Sequence, residues 1–516
     1  MPITRRRVLL TTAAGLLAPP VAQARQKTAS RRVDPVDEHT RALESIIAAV
    51  MKRTGVPGMS VAVVSRGRVA YLRGFGVRRV GFAEPVDADT VFALASLSKP
   101  LASTVVAALV GDGVISWDDR IVARLPEFAL NDPWVTREVT LRDMLCHRSG
   151  LPDHAGDLLE DIGYDRDEII RRLRYVKLSG AFRASYAYTN FGFTVGALAA
   201  ARAAGKSWED LCSDRIYRPL GMSSTSSRYV DFTARTNRAF GHVRRGDDWV
   251  VGTQRDPDAQ APAGGVSSSA RDTAAWLQLQ LARGAFEGRE IVAAPALDDT
   301  HRPQIISGSA DPAKAAPSFY GLGWDIGYAE NPLVHWGHSG AFSMGASTCV
   351  NILPSEQLGI IALSNSAPVG APEAVCRSFI DLVRTGKIER DWLTLFGGVF
   401  AKMEEPGYGR DRDYNSPPNG AAPPAALSAY VGTYVNDLYG PLTISQDTNT
   451  LRLSVGRGKA PYAVRHFSGN VFTFQPIGEN AAGPSPLRFT LGDSGEAQSV
   501  VIDYFNTTGQ GGFTRA

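Results

Sequence analysis

Between Gly407 and Pro424 the chain loses its hydrophobic periodicity: Pro417-Pro418, Pro423-Pro424 and interspersed Gly, Asn and Ala fill the stretch. Such a segment sustains neither a helix nor a sheet ladder, so the parts on either side are expected to fold as separate units. On its C-terminal side every run is strand-like: Tyr430-Val-Gly-Thr-Tyr434, Leu442-Thr-Ile444, Leu451-Arg-Leu-Ser-Val455, Val471-Phe-Thr-Phe474, Leu487-Arg-Phe-Thr-Leu491 and residues 499–504. Short alternating runs at near-regular spacing predict a small antiparallel β-barrel or sandwich over 426–516.

On the N-terminal side the signals are mixed. Leu43, Ile46, Ile47 and Val50 recur at helical spacing, and Met59–Val64 and Val69–Gly76 flank an Arg66-Gly-Arg68 turn as a hairpin. Helical patterns fill much of 90–236, strand character returns at 320–327, 334–340, 347–353 and 358–365, and a helix is expected over 372–385. Early strands, a helical middle and late strands predict an α+β domain whose sheet is completed by both ends of the segment. It is assigned to 37–390, with 391–425 as the linker.

Composition bounds the function. At 516 residues, 44% hydrophobic and 21% charged, the chain supports conventional cores in two or three units. Thr4-Arg5-Arg6-Arg7-Val8-Leu9, the apolar run to Val21 and Ala22-Gln23-Ala24 fit a twin-arginine signal peptide over 1–24, followed by a flexible lead-in over 25–36. The expected location is periplasmic or secreted. Without Arg5, Arg6 and Arg7 the 55 basic residues fall to 52, equal to the 52 acidic ones. With no long basic run either, the chain has no electrostatic footing for nucleic acid. No stretch reaches transmembrane length, so no membrane span is expected. Cys146, Cys212, Cys349 and Cys376 are widely spaced and form no Cys-x-x-Cys pair; buried free thiols are expected, although export leaves a disulfide pairing open.

Of nine Lys, only Lys99 has a Ser three positions before it, in Ser96-Leu-Ser-Lys99. Leu101, Val105, Leu109 and Val110 form a helical stripe that ends at Gly111 and Gly113, so Ser96 is expected to open a helix, with Pro100 tolerated in its first turn. Three residues is nearly one turn, which places the Lys99 amine beside the Ser96 hydroxyl. An ammonium has no lone pair, so this lysine serves as a base only if its surroundings lower its pKa.

Ala95-Ser-Leu-Ser-Lys-Pro100 heads a series of ordered blocks: Gly113–Ile121, Val139–Pro152, Tyr188-Thr-Asn-Phe-Gly-Phe193, Tyr217–Met222, Pro262–Asp272, Tyr320-Gly-Leu-Gly-Trp324 and Gly337-His-Ser-Gly-Ala-Phe342. Across 37–382 this series resembles serine hydrolases of the penicillin-binding protein and class C β-lactamase type, with their D-aminopeptidase and esterase relatives. The resemblance implies a Tyr-x-Asn element facing the nucleophile. Three stretches match, ending at Asn190, Asn436 and Asn506, and position along the chain selects Tyr188 and Asn190. Tyr188 would move protons if adjacent positive charge lowered its pKa, and Asn190 would bond the Lys99 amine and the substrate amide.

The family's third element is Lys-Thr-Gly or His-x-Gly. Matches begin at His154, His335 and His338, and the surrounding block selects His338, with Gly340 making room for the substrate backbone. Ala341 joins Ser96 as a backbone oxyanion donor. The departure from Lys to His puts strong recognition of a substrate carboxylate in doubt. His147 is expected to brace a loop.

The resemblance implies an exported hydrolase that acts through an acyl-enzyme without metal or cofactor, on amide bonds of small or D-residue-containing peptides. An esterase, a β-lactamase or D-Ala-D-Ala carboxypeptidase, and a non-catalytic sensor are the alternatives. The C-terminal unit resembles lipocalin-like barrels, which in relatives cover the cleft mouth or mediate self-association into homo-oligomers; an independent ligand-binding barrel is the other possibility.

Overall fold

The computed structural model describes residues 35–308, 316–328, 334–458 and 460–516; the signal segment assigned to 1–24 lies outside them. The first helix, α1 (Pro35–Thr54), begins two residues before its expected start and leads into the hairpin β1 (Gly58–Ser65) and β2 (Arg68–Gly76). The late strands are β3 (Ile305–Gly308), β4 (Ser318–Tyr320), β5 (Asp325–Tyr328), β6 (Val334–Phe342), β7 (Ala346–Leu353) and β8 (Leu358–Ser364). The single strand expected over 320–327 is therefore two, split by a turn at 321–324.

These strands form one antiparallel sheet in the order β2-β1-β8-β7-β6-β5-β4-β3, so the N-terminal hairpin pairs with the last strand of the segment. β1, β7 and β8 are buried along their whole length, because both faces of the sheet are covered. Val61, Val63, Ile360 and Ala362 face α1 and the helix α6 (Ala371–Thr385). Ala62, Val64, Val350, Ile361 and Leu363 face the helical layer. Period-two alternation thus supplies two cores from one set of strands.

The helical layer contains α2 (Ser98–Gly111), the short α3 (Asp157–Asp161), α4 (Asn190–Ala203) and α5 (Ala270–Leu281). α4 is apolar all round because it is buried between two clusters. Phe193, Ala197 and Ala200 join the sheet-side core, while Phe191, Val195 and Ala199 join a second core that runs on into the C-terminal unit.

That unit is a closed barrel of eight antiparallel strands: β9 (Gly432–Asn436), β10 (Gly440–Asp447), β11 (Thr450–Val455), β12 (Tyr462–Ser468), β13 (Val471–Phe474), β14 (Ser485–Leu491), β15 (Ala497–Ile502) and β16 (Gly512–Arg515), with β9 pairing β16. The fold is α+β followed by a small antiparallel barrel. β12 and β16 carry too few alternating apolar residues to stand out in the sequence. Residues 392–403, read as linker, form the helix α7 (Trp392–Met403). It is tied back by Arg53 to Asp391 at 2.8 Å and by Trp392 Nε1 donating to Asp381 at 2.6 Å.

The barrel is seated on the helical layer. Tyr164 Oη donates to Tyr439 O at 3.0 Å, Arg172 donates to the carbonyls of Asp437 and Leu438, and Gln510 bridges Tyr175 O and Lys177 N. All four cysteines are buried free thiols. Among the described residues no helix is long and apolar enough to cross a membrane.

Candidate active site

Ser96 does not open α2 itself. It sits in a separate 3-10 turn, Ala95–Leu97, immediately before the helix, and Ala95 is held at φ +49°. A non-glycine residue in this left-handed region costs about 1–3 kcal/mol and persists only where the surroundings impose it. Here Ala95 is packed against Phe342 and Ala346, and the Thr348 hydroxyl donates to Leu94 O at 2.8 Å. The result is an elbow that leaves Ser96 half-buried while Lys99 is wholly buried.

Gly340 has a different reason from the one expected. A Cβ there would overlap Leu94 O, Thr348 Oγ1 and Leu97 N, so the missing side chain admits the elbow itself rather than a substrate backbone. β6 and the serine turn are thereby pressed together. Pairing of β6 with β5 ends at Gly337, so among the described residues 338–342, which includes Ala341, has no strand neighbour on that side.

Lys99 Nζ lies 3.1 Å from Ser96 Oγ, 2.8 Å from Asn190 Oδ1 and 3.0 Å from Ala263 O. Burial pushes its pKa well below that of an ordinary lysine; Asp157 opposes this and Arg255 adds to it. A neutral amine has two N–H bonds and one lone pair. Asn190 Oδ1 and Ala263 O take the two donors, which leaves the lone pair for the Ser96 hydroxyl. The Asn190 orientation is fixed from behind, since its Nδ2 donates to Asp157 Oδ2 at 2.8 Å and a carboxylate only accepts. Asp157 also bonds His154 Nδ1, at 2.9 Å.

Tyr188 Oη donates to Ser96 Oγ at 2.8 Å, and its ring lies 4.4 Å from the Lys99 amine. The expected lowering of its pKa does not occur: burial raises it, with the Ser96 bond only partly opposing, so the phenol keeps its proton. The Tyr188 backbone is held by Asp153, which accepts from its N–H at 2.6 Å, and by His154, whose N–H donates to its carbonyl. His147 braces the same loop, with Nδ1 accepting from Thr189 N at 3.2 Å and its ring 4.5 Å from that of Tyr188.

His338 is buried beside this group but bonds elsewhere. Its Nδ1 is 2.6 Å from Ser339 O, which only accepts, so Nδ1 carries the proton and Nε2 accepts from Tyr320 Oη at 2.9 Å. Burial lowers it to about 3, so it is uncharged at neutral pH. The half-charged histidine implied by its ordinary pKa is absent.

The structure therefore gathers Ser96, Lys99, Tyr188 and Asn190 into one hydrogen-bonded set, with His338, Gly340 and Ala341 on the adjoining strand. Sequence reading missed Asp157, Asp153, Tyr320 and the Ala263 carbonyl. The Pro262–Asp272 and Tyr320–Trp324 blocks were visible, but nothing local marked these residues as partners. Among the described residues no group of three or more His, Cys, Asp or Glu side chains is arranged to hold a metal ion. A cleft of about 730 Å³, walled by Glu160, Tyr164, Arg255, Met344 and Glu479 among others, opens between the helical layer and the barrel; Ser96 is not one of its walls.

Comparison with known proteins gives the family. Residues 43–385 match the family described as Beta-lactamase, and 416–511 match a domain of unknown function, DUF3471. An unguisins hydrolase of Aspergillus campestris is 27% identical over 499 residues, covering 91% of this chain and 90% of the fungal protein. Penicillin-binding protein 4 of Amycolatopsis lactamdurans is 28% identical over 60% of this chain and 81% of its own length. Among solved structures, the octameric penicillin-binding protein homologue from Pyrococcus abyssi shares the fold over 92% of this chain and 99% of its own, at TM-score 0.60 and 18% identity. A class C β-lactamase from Rhodobacter sphaeroides covers 66% of this chain and 98% of its own, at TM-score 0.55 and 23% identity.

Proposed function

The chain belongs to the Beta-lactamase family of serine hydrolases, and from that premise we propose that it cleaves amide bonds of small or D-residue-containing peptides through an acyl-enzyme on Ser96. The observation that carries this reading is the Lys99 amine, buried with two hydrogen-bond acceptors and one hydroxyl around it. Ser96 Oγ attacks the substrate carbonyl as its proton passes to the Lys99 lone pair, and the N–H groups of Ser96 and Ala341 hold the oxyanion. Tyr188 gives its proton to the leaving nitrogen and regains one from the Lys99 ammonium. Water then attacks the ester, and the acid departs.

An uncharged His338 supplies no fixed cation for a substrate carboxylate. This disfavours penicillins and D-Ala-D-Ala termini and favours amides or esters without that anchor. The fungal relative is named an unguisins hydrolase and aligns over 90% of its own length, which supports hydrolysis as the activity. An esterase on the same machinery is the second reading, since the same four side chains serve either leaving group. We read the barrel as lipocalin-like from its eight closed antiparallel strands, and export as preceding action from the Arg5–Arg7 pattern.

The test is a fluorophosphonate probe with peptide mapping, followed by D- and L-aminoacyl amides, short esters and a chromogenic cephalosporin. Labelling on Ser96, lost together with turnover in Ser96→Ala, is expected, with amides the best substrates. Wild-type protein that stays unlabelled overturns the enzymatic reading in favour of a sensor; turnover of esters alone selects the esterase.

A further inference from the structure

The barrel touches the catalytic domain at a point that matters for the chemistry. The loop joining β13 to β14 carries Glu479, whose carboxylate accepts from Ser343 N at 2.6 Å and from Met344 N at 3.4 Å. These two amides lie in the turn that ends β6, two and three residues beyond Ala341, where Gly345 N closes the turn onto Phe342 O at 2.9 Å. Arg255 reinforces the contact: its guanidinium lies 4.4 Å from the centre of the Phe342 ring, 3.8 Å from Glu479 and 2.6 Å from Glu160. The side chains of Glu479, Arg255 and Glu160 are each only 10–12% exposed.

The loop is itself anchored. Asp161, at the end of α3, accepts from Glu479 N at 2.9 Å, Asn480 N at 3.0 Å, Asn480 Nδ2 at 2.8 Å and Tyr504 Oη at 2.7 Å. Gly478 lies so close that a Cβ would overlap the Asp161 carboxylate, and its φ of +148° suits glycine. The other end of α3 is Asp157, which orients Asn190 and through it Lys99. One short helix therefore presents a carboxylate to the lysine side of the site and, one turn on, a carboxylate to the barrel loop that grips the oxyanion side.

We infer that Glu479 is a positioning residue for the oxyanion strand: the barrel's carboxylate pins the Ser343–Met344 turn and so fixes where the Ala341 N–H points. A hydrogen-bond donor aimed at developing charge is effective only when held in place before the reaction, and small displacements are costly. The catalytic domain lacks this acceptor, so the barrel completes the site rather than merely adjoining it. The inference rests on reading Ser96 as the nucleophile and Ala341 as an oxyanion donor.

The full chain is tested by saturation kinetics of Ser96 acylation with a fluorophosphonate, and of turnover with the best amide, in four variants. Glu479→Ala is expected to lower the maximal acylation rate and kcat by about tenfold or more with KM within about twofold. Glu479→Gln, whose amide oxygen still accepts from Ser343, recovers most of the loss. Gln510→Ala loosens the barrel at another contact, with Tyr175 and Lys177, and leaves the rate unchanged. Should Glu479→Ala not fold, Glu479→Asp, one methylene too short to reach the turn, shows the same fall. An active wild type in which the Glu479 variants acylate at the normal rate, or in which Gln510→Ala falls equally, overturns the positioning role and leaves the serine-hydrolase reading standing. A wild type with no Ser96 labelling overturns both.

Discussion

Lys99 and Arg255 are both buried basic side chains, yet their pKa values are driven in opposite directions. Around Lys99 the hydrogen-bond partners are neutral: a hydroxyl, an amide oxygen and a carbonyl. The Asp157 carboxylate, which opposes the shift, is already engaged by Asn190 and His154. Burial then dominates, and the amine's pKa is driven well below that of an ordinary lysine. Arg255 lies between Glu160 and Glu479, and their charge outweighs the same burial, so its pKa is raised rather than lowered. Burial without a counter-charge makes a reagent, whereas burial between counter-charges makes a strut.

The comparison breaks most sharply at Lys99. Lys99→Arg keeps a cation but installs a group that does not deprotonate, so the rate of Ser96 acylation should fall by about 10²–10⁴-fold, the range for removing a general base. A variant labelled at the wild-type rate in single-turnover experiments would show that charge, not a lone pair, is what the site requires.

Arg255→Met tests the other half. It leaves Glu160 and Glu479 buried without their cation, and the expected loss is about 3–5 kcal/mol of unfolding free energy in urea. Loss of no more than a surface substitution would mean the pair is not structural.

Glu373 extends the rule to an acid. It is 2% exposed, and burial pushes its pKa up to about 7, with hydrogen bonding from its own backbone N–H and from Ser339 only partly opposing. A raised carboxyl favours the fold below the unfolded value near 4.5 and costs stability as pH climbs through 7. Glu373→Gln removes that cost, so its stabilising effect should grow by roughly 2–3 kcal/mol between pH 5 and pH 8. Equal gains at both pH values would mean the wild-type carboxyl is ionised in the fold.

Legibility followed distance along the chain. Ser96 and Lys99 were readable because three residues on a helix is a local geometry, and the barrel because alternation is local too. Tyr188 and Asn190 needed their block to separate them from two other Tyr-x-Asn matches. Of the three His-x-Gly matches, the structure keeps His338 on the site strand. It places His154 on the far side of Asp157 and puts His335 against Arg377. The Ala263 carbonyl reaches Lys99 across 164 residues, and Glu479 reaches Ser343 across 136. No periodicity encodes such a contact. The α7 helix was missed because its neighbours, Gly386 on one side and the Pro-rich stretch on the other, suggested a continuous linker.

By itself the sequence determined the two-part architecture and the serine–lysine adjacency, since hydrophobic period and one helical turn depend only on neighbours in the chain. Tertiary structure alone decided the charges. Lys99 and His338 are driven to lower pKa values and Tyr188 and Arg255 to higher ones because a proton's affinity is set by the dielectric and partners that surround a group in space. The fold assembled those surroundings from segments more than ninety residues apart.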